Sequence, residues 1–275
     1  MNILQAILLG LVQGLAEFLP ISSSGHLLLA QKLLGLEEPG MLLTVLLHVG
    51  TLAAVLAIFW RDWWAMLKNP FKNHVFWMLV VATLPAVAAA LLLEEQIDAL
   101  FTGWFLAPSF LITAALLLAA ELSTRHRHAR RAARRVEVEK VTLWQALGMG
   151  AMQAVAILPG VSRSGATMVG GMWGGLNRGT AAKFSFMMSV PAILGSLVFD
   201  VKDLFGAEAA VFTGGWLAPL VGVVVAALSG FLAIRWMMRL VQRVSLKWFA
   251  LYTALVGALV LADQLFWGHF FTKLL

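Results

Sequence analysis

The sequence has no cysteine. That excludes disulfides and thiolate metal sites, and it removes any redox clue to compartment. Charge is scarce as well: only 12% of the 275 residues are Asp, Glu, Lys or Arg, about half of the roughly 25% usual in a soluble domain. Against this shortage stand 61% hydrophobic residues and a mean hydropathy of +0.87. A soluble chain would need a very large buried core to hide so much apolar surface. Several apolar runs here instead approach the roughly 20 residues that cross a bilayer, so lipid is the expected solvent for most of the surface. The first residues lack a basic n-region and lead directly into polar chemistry, so no cleavable signal peptide is expected.

What charge there is lies unevenly. The net charge is +6, and Arg125, Arg127, Arg130, Arg131, Arg134, Arg135 and Lys140 fall within one short run. A nucleic-acid tract would look similar, but a cytoplasmic loop beside a membrane explains the run more simply, and no nucleic-acid partner is expected. Six stretches are long enough to span: 40–60, 75–93, 104–120, 184–200, 213–234 and 249–267. The segments between them alternate in charge. Those at 61–72, 121–140 and 235–247 are basic, whereas 94–103 (Glu94, Glu95, Asp98) and the segment after residue 200 (Asp200, Asp203, Glu208) are acidic. Lys and Arg set orientation, which puts the basic loops in the cytoplasm and both chain ends outside.

Two apolar stretches, 1–35 and 141–178, do not fit this count. Pro, Gly and Ser break each near its middle, so each is expected to enter the membrane and return on the same side as a helical hairpin. Broken backbone at that depth is tolerated where protein buries it or where it lines a cavity. The two stretches are also copies. A shift of 140 residues pairs Gln5, Ala6, Gly10, Gln13, Ala16, Ser22, Ser24 and Gly25 with Gln145, Ala146, Gly150, Gln153, Ala156, Ser162, Ser164 and Gly165. Three spans separate the copies, so they enter from opposite sides. The expected fold is therefore all-α: a single polytopic membrane domain over 1–275, with about six transmembrane helices, two re-entrant helical hairpins and an inverted-topology repeat. Its first repeat is 1–120, a cytoplasmic basic loop covers 121–140, and the second repeat is 141–275. In such repeats the paired broken segments point to a site near the bilayer midplane.

The first break carries reactive groups. Gln13 and Glu17 are four apart and share a helix face. Pro20 interrupts the helix, and Ser22 is the expected N-cap of the next one. Ser23 and His26 then lie three apart on one face, a hydroxyl beside an imidazole, which is the basic unit of an activated nucleophile. Glu17 adds a carboxylate able to hold a divalent cation or orient the imidazole. A lone Ser or His in a membrane helix is usually structural, but a Glu in an apolar run is expensive and functional by default. The second break reads Pro159-Gly160-Val161-Ser162-Arg163-Ser164-Gly165-Ala166-Thr167. It sets an Arg between hydroxyls and glycines at the start of a half-helix, where free N–H groups and the dipole favour phosphate. The planar fork of Arg matches phosphate oxygens, and the repeat puts Arg163 at the depth of Ser23, too deep to be a snorkelling side chain. One half thus offers Glu, Ser and His, and the other an anion cradle, a division suited to phosphoryl transfer.

At these residues the chain resembles the bacterial undecaprenyl-diphosphate phosphatase family, also called bacitracin resistance proteins. Residues 13–26 are similar to its pattern Glu/Gln-x-x-x-Glu followed by Phe-Leu-Pro-x-Ser-Ser-x-Gly-His, and residues 159–167 to Pro-Gly-x-Ser-Arg-Ser-x-x-Thr. The likeness extends to Leu47-His48-Val49-Gly50-Thr51 and Ala182-Lys183-Phe184-Ser185-Phe186. The resemblance implies hydrolysis of undecaprenyl diphosphate to undecaprenyl phosphate and inorganic phosphate. That reaction recycles the lipid carrier for cell-wall synthesis and confers bacitracin resistance. It also implies dependence on Mg²⁺ or Ca²⁺, residence in the bacterial plasma membrane, a site opening to the outer leaflet and, often, a homodimer. Carried over by position, Glu17 binds metal or assists proton transfer, Ser23 and His26 form the reactive pair, and Arg163 grips the diphosphate. Ser22, Ser162, Ser164, Gly165 and Thr167 are its neighbours in substrate binding. Position 13 departs from the pattern: many members carry Glu where this chain has Gln13, a supporting residue that leaves the metal site one carboxylate short. Spacing leaves the nucleophile open between Ser23, His26 and water, with Ser23 and His26 as its base preferred. Transport of a polyprenyl phosphate is the alternative, since inverted repeats with broken helices are common in carriers.

Overall fold

A computed structural model describes residues 1–36, 41–93, 96–97, 100, 104–131, 136–206, 215–268 and 271, with side chains omitted for 41, 125–131 and 199–206. The expected acidic residues Glu94, Glu95, Asp98 and Glu208 lie outside the described residues, as do Arg134 and Arg135. Among the described residues every regular element is helical. The described residues form eleven α-helices: α1 (Ile3–Phe18), α2 (Ser23–Leu33), α3 (Met41–Ile58), α4 (Trp60–Lys68), α5 (His74–Leu92), α6 (Leu106–Arg131), α7 (Leu143–Val155), α8 (Arg163–Trp173), α9 (Arg178–Gly206), α10 (Leu217–Leu240) and α11 (Lys247–Ala262).

Helices α5, α6, α9, α10 and α11 are long and apolar enough to cross a membrane, and α3 joins them if it is counted with α4 as one bent span. Their outer faces are apolar: Leu220, Val224, Leu228 and Leu232, spaced by four along α10, are all exposed. Such a ridge is stable against lipid and not against water. The protein is therefore a multi-pass membrane protein.

Several boundaries differ from the sequence expectation: α10, expected to end at 234, runs to Leu240 and takes in the start of the stretch 235–247 expected as a loop. The stretch 61–72, expected as a loop, is helical over most of its length: α4 runs to Lys68, bent 79° from α3, and a 3₁₀ turn covers Pro70–Lys72. Its Arg61 and Lys68 lie over the rings of Trp60 and Trp64, the aromatic and basic pairing of a helix lying in the interface. The stretch 121–140, expected wholly as a loop, is helical as far as Arg131. Arg and Ala are strong helix formers, and a helix can leave the apolar layer without ending. Helix α9 likewise begins at Arg178, ahead of its expected start at 184.

Both broken stretches fold as helix pairs, and the caps repeat with the sequence. Asn2 and Gln5 form a capping box on α1, as Thr142 and Gln145 do on α7. Each second helix is capped by a serine: Ser22 accepts from Gly25 N–H and Ser162 from Gly165 N–H. The packing repeats too, with the halves exchanged, since α1 packs along α10 and α7 along α5. A Cβ on Gly10 would lie 2.5 Å from the Gly222 carbonyl oxygen, and one on Gly150 would strike the carbonyl of Ala82. These two contacts are images of each other under the 140-residue shift, as a two-fold relation between halves requires. Small residues at such crossings let helix backbones touch where no hydrophobic effect drives them together.

Charged pairs hold one end of the bundle. Arg178 Nη2 is 2.5 Å from Glu121 and Nη1 donates to the Val244 carbonyl, tying α9 to α6 and to the α10–α11 turn. Lys183 bonds Asp62 of α4 at 2.8 Å. The end of α6, the start of α9, α4 and the α10–α11 turn therefore gather at one end, and most of the basic residues lie there.

Candidate active site

Glu17 stands at the centre of the broken segments. It is 6% exposed, in the last turn of α1, and Gln13 Nε2 one turn earlier donates to its Oε2 at 3.1 Å. Pro20 cannot continue the helix; the chain turns and restarts at α2. Ser22 makes that restart with φ of 75°, the one non-glycine residue with positive φ among those described. Such a conformation costs about 1–3 kcal/mol and collects at functional sites. It brings Ser23 back over the end of α1, where Ser23 Oγ donates to Glu17 Oε2 at 2.6 Å.

The second half reaches the same carboxylate. Arg163, the first residue of α8, donates through Nη2 to Glu17 Oε1 at 2.5 Å and through Nη1 to the Ser185 carbonyl at 3.3 Å. Ser164 Oγ donates to the Leu19 carbonyl at 3.0 Å, stitching the two breaks together. Ser162 caps α8 while its own N–H donates to Thr113 Oγ1 at 3.0 Å, so the start of α8 is fixed from α6. Thr167 Oγ1 bonds Ser185 Oγ at 2.6 Å, and Gly165, with its backbone N–H on the Ser162 cap, is buried. Ser162, Ser164, Gly165 and Thr167 thus shape the cradle, and Arg163 is the side chain that reaches across.

The structure separates one expected pair. His26 Nδ1 lies 2.7 Å from the Ser22 carbonyl and Nε2 2.8 Å from the Tyr252 hydroxyl. A carbonyl only accepts, so Nδ1 carries a proton, and in the neutral ring Nε2 is the lone-pair nitrogen that accepts from Tyr252. Ser23 gives its proton to Glu17 and not to His26. The reason is geometric: the first turn of α2 points Ser23 back at α1, whereas His26 faces α11, stacked on Tyr252 with ring centroids 5.5 Å apart.

Three contributors were not singled out from sequence. His48 of α3 places Nε2 3.8 Å from Glu17 Oε2; an ionisable side chain inside an apolar run was the available signal. Tyr252, the chain's single tyrosine, gave no local pattern. Ser185 supplies both a carbonyl to Arg163 and a hydroxyl to Thr167, across a separation that only folding closes.

The family profile of bacitracin resistance protein BacA matches residues 6–259. An undecaprenyl-diphosphatase of Carboxydothermus hydrogenoformans is 41% identical over 266 residues, covering 96% of this chain and 98% of that protein. Undecaprenyl-diphosphatase 4 of a Bacillus cereus strain is 39% identical over 265 residues, 96% of this chain and 98% of the relative. An undecaprenyl-diphosphatase of Methanobrevibacter smithii is 38% identical over 282 residues, 94% of this chain and 97% of the relative. The chain belongs to the BacA family. The match spans both broken segments, so in this BacA-family chain Glu17 of the first copy and Arg163 of the second meet inside the region the family shares.

Donors for a hard cation are present in part. Among the described residues no group of three or more His, Asp or Glu side chains gathers. Glu17 is joined instead by neutral oxygens: Ser23 Oγ, and Gln13 Oε1, which is buried without a hydrogen-bond partner. One carboxylate with neutral oxygens fits Mg²⁺ bound partly by substrate phosphates, which requires few protein ligands.

Proposed function

We propose that this protein is an integral membrane phosphatase that hydrolyses undecaprenyl diphosphate to undecaprenyl phosphate and inorganic phosphate, recycling the lipid carrier and conferring bacitracin resistance. The observation that carries this reading is the contact of Ser23, Glu17 and Arg163. A hydroxyl, its proton acceptor and a guanidinium from opposite halves converge on one buried point. The shared name of the relatives supplies the substrate.

The chemistry follows from who holds each proton. Arg163 and the free N–H groups at the start of α8 bind the terminal phosphate. Arg163 then exchanges part of its bond to Glu17 for the phosphate oxygens, which leaves that carboxylate free to accept. Ser23 Oγ passes its proton to Glu17 and attacks the terminal phosphorus. The bridging P–O bond breaks and undecaprenyl phosphate leaves. Water then attacks the phosphoserine, inorganic phosphate departs with the water's oxygen, Ser23 recovers its proton from Glu17, and the remaining proton leaves to solvent. Glu17, Gln13 and Ser23 would hold Mg²⁺ or Ca²⁺, which would neutralise charge on the phosphate oxygens.

The basic end of the bundle is cytoplasmic in this reading, and both termini lie outside. A cleft of about 230 Å³ bordered by Ser24, Gly25, Pro159 and Gly160 runs past Leu100 and Leu106, away from the basic end. It supports access from the outer leaflet of the bacterial plasma membrane.

The test is phosphate release from undecaprenyl diphosphate by purified protein with Mg²⁺, with EDTA, and as Arg163→Ala. The expected result is release that requires both metal and Arg163, with a loss of about 100-fold or more in the variant. No release from folded wild-type protein refutes this reading and favours transport of the lipid diphosphate.

A further inference from the structure

One buried polar side chain has no part in that chemistry. Gln153 of α7 is 3% exposed, and neither its Oε1 nor its Nε2 has a hydrogen-bond partner. It is the repeat counterpart of Gln13, which donates to Glu17; where the first copy has that carboxylate, the second has Ile157. Buried amides are almost always paired, so an amide with both polar atoms idle is a group suited to a ligand.

Gln153 lines a groove of about 380 Å³ in which Arg163 also stands. The groove runs between α5 and α9, past Val87, Pro191 and Gly195. Both helices are spans, and Val87 and Ser196 are exposed at its mouth, so it opens sideways toward the bilayer. Its walls are apolar nearly throughout, and the amide and the guanidinium are the strong hydrogen-bonding groups within it. A free phosphate gains nothing from apolar walls, whereas a phosphate carrying a long apolar chain matches both ends.

We propose that the α5–α9 groove receives the isoprenoid chain of the lipid diphosphate laterally from the bilayer, and that Gln153 hydrogen-bonds the phosphate esterified to that chain. Arg163 holds the other phosphate, the one that leaves. This assignment rests on the phosphatase reading and adds to it the path of the lipid and the group that reads the retained phosphate.

Gly195 offers a way to obstruct the groove. A Cβ built there meets no atom within 4 Å, so the side chain of Gly195→Trp starts in open space and adds bulk to the groove that residue 195 lines. Phosphate release is measured from undecaprenyl diphosphate and from short-chain farnesyl diphosphate, for wild type, Gly195→Trp and Gln153→Leu, together with each protein's Tm. In Gly195→Trp the ratio of kcat/KM for the long substrate to that for the short one should fall by about tenfold or more. Gln153→Leu should raise KM for both substrates and raise Tm, because it deletes an unsatisfied buried amide. An unchanged ratio in Gly195→Trp, an unchanged KM in Gln153→Leu, or a lowered Tm marking Gln153 as a structural group, overturns the assignment while an active wild type keeps the phosphatase reading standing. A wild type that releases phosphate from neither substrate removes both.

Discussion

Replacing Glu17 by glutamine keeps the shape of the side chain and deletes its charge. The carboxylate now accepts from Arg163 at 2.5 Å, Ser23 at 2.6 Å and Gln13 at 3.1 Å. Hydrogen bonds to charged groups contribute about 1.5–3 kcal/mol and neutral ones about 0.5–1.5, so the Arg163 and Ser23 bonds each lose about 1 kcal/mol. The new amide must also turn an N–H toward Gln13 Nε2, donor against donor, for about 1 kcal/mol more, whereas the Ser23 hydroxyl can turn to accept. The total, about 3 kcal/mol, is at the low end of the range for breaking a buried pair. At about 2–4 °C per kcal/mol for a chain of this size, Glu17→Gln should lower Tm by roughly 6–12 °C. Phosphate release should fall about 100-fold or more, since the acceptor for the Ser23 proton is gone. A double-mutant cycle with Arg163→Gln reads the pair itself. The double variant should be more stable than the sum of the two single losses predicts, because it leaves no unpaired charge. A coupling below about 0.5 kcal/mol, or a Glu17→Gln protein that melts with wild type, refutes the buried pair and with it the site.

Other outcomes follow from single contacts. Ser22 both caps α2 and sits at φ of 75°. Ser22→Ala should cost about 1 kcal/mol by losing the cap, and Ser22→Gly clearly less, because glycine relieves the backbone; thermal melts of the two variants give the order. Tyr252→Phe keeps the stack on His26 and removes one hydrogen bond, so kcat/KM should drop by about 3–10-fold, with Tm nearly constant. Gly10→Leu places a side chain against the backbone of α10 and should abolish the folded, monodisperse protein in detergent. Gly35→Ala, at positive φ but with no atom within 4 Å of the added Cβ, should cost only about 1 kcal/mol of backbone strain, which a Tm comparison reads.

Much of the site was legible because the break is written locally. Pro20 and Ser22, and Pro159 and Ser162, announce where helices stop and restart, and a carboxylate or guanidinium in an apolar run advertises itself by its solvation cost. His48 carried the same signal but sat in an otherwise regular span. The pairing of Ser23 with His26 followed helix periodicity, which gives a shared face and says nothing about what faces it.

Composition and periodicity alone determined that this chain is a bundle of membrane helices, that two of its segments are broken, and that those segments are copies. These properties depend on neighbours within a turn or two and on the solvent each residue can tolerate. Tertiary structure alone decided that the copies trade partners, α1 onto α10 and α7 onto α5. It also decided that Glu17 meets Arg163 across the two halves, and that Ser23 turns to Glu17 while His26 turns to Tyr252. Contacts between distant residues follow from how helices cross, and one turn of a helix is enough to send adjacent reactive groups to different partners.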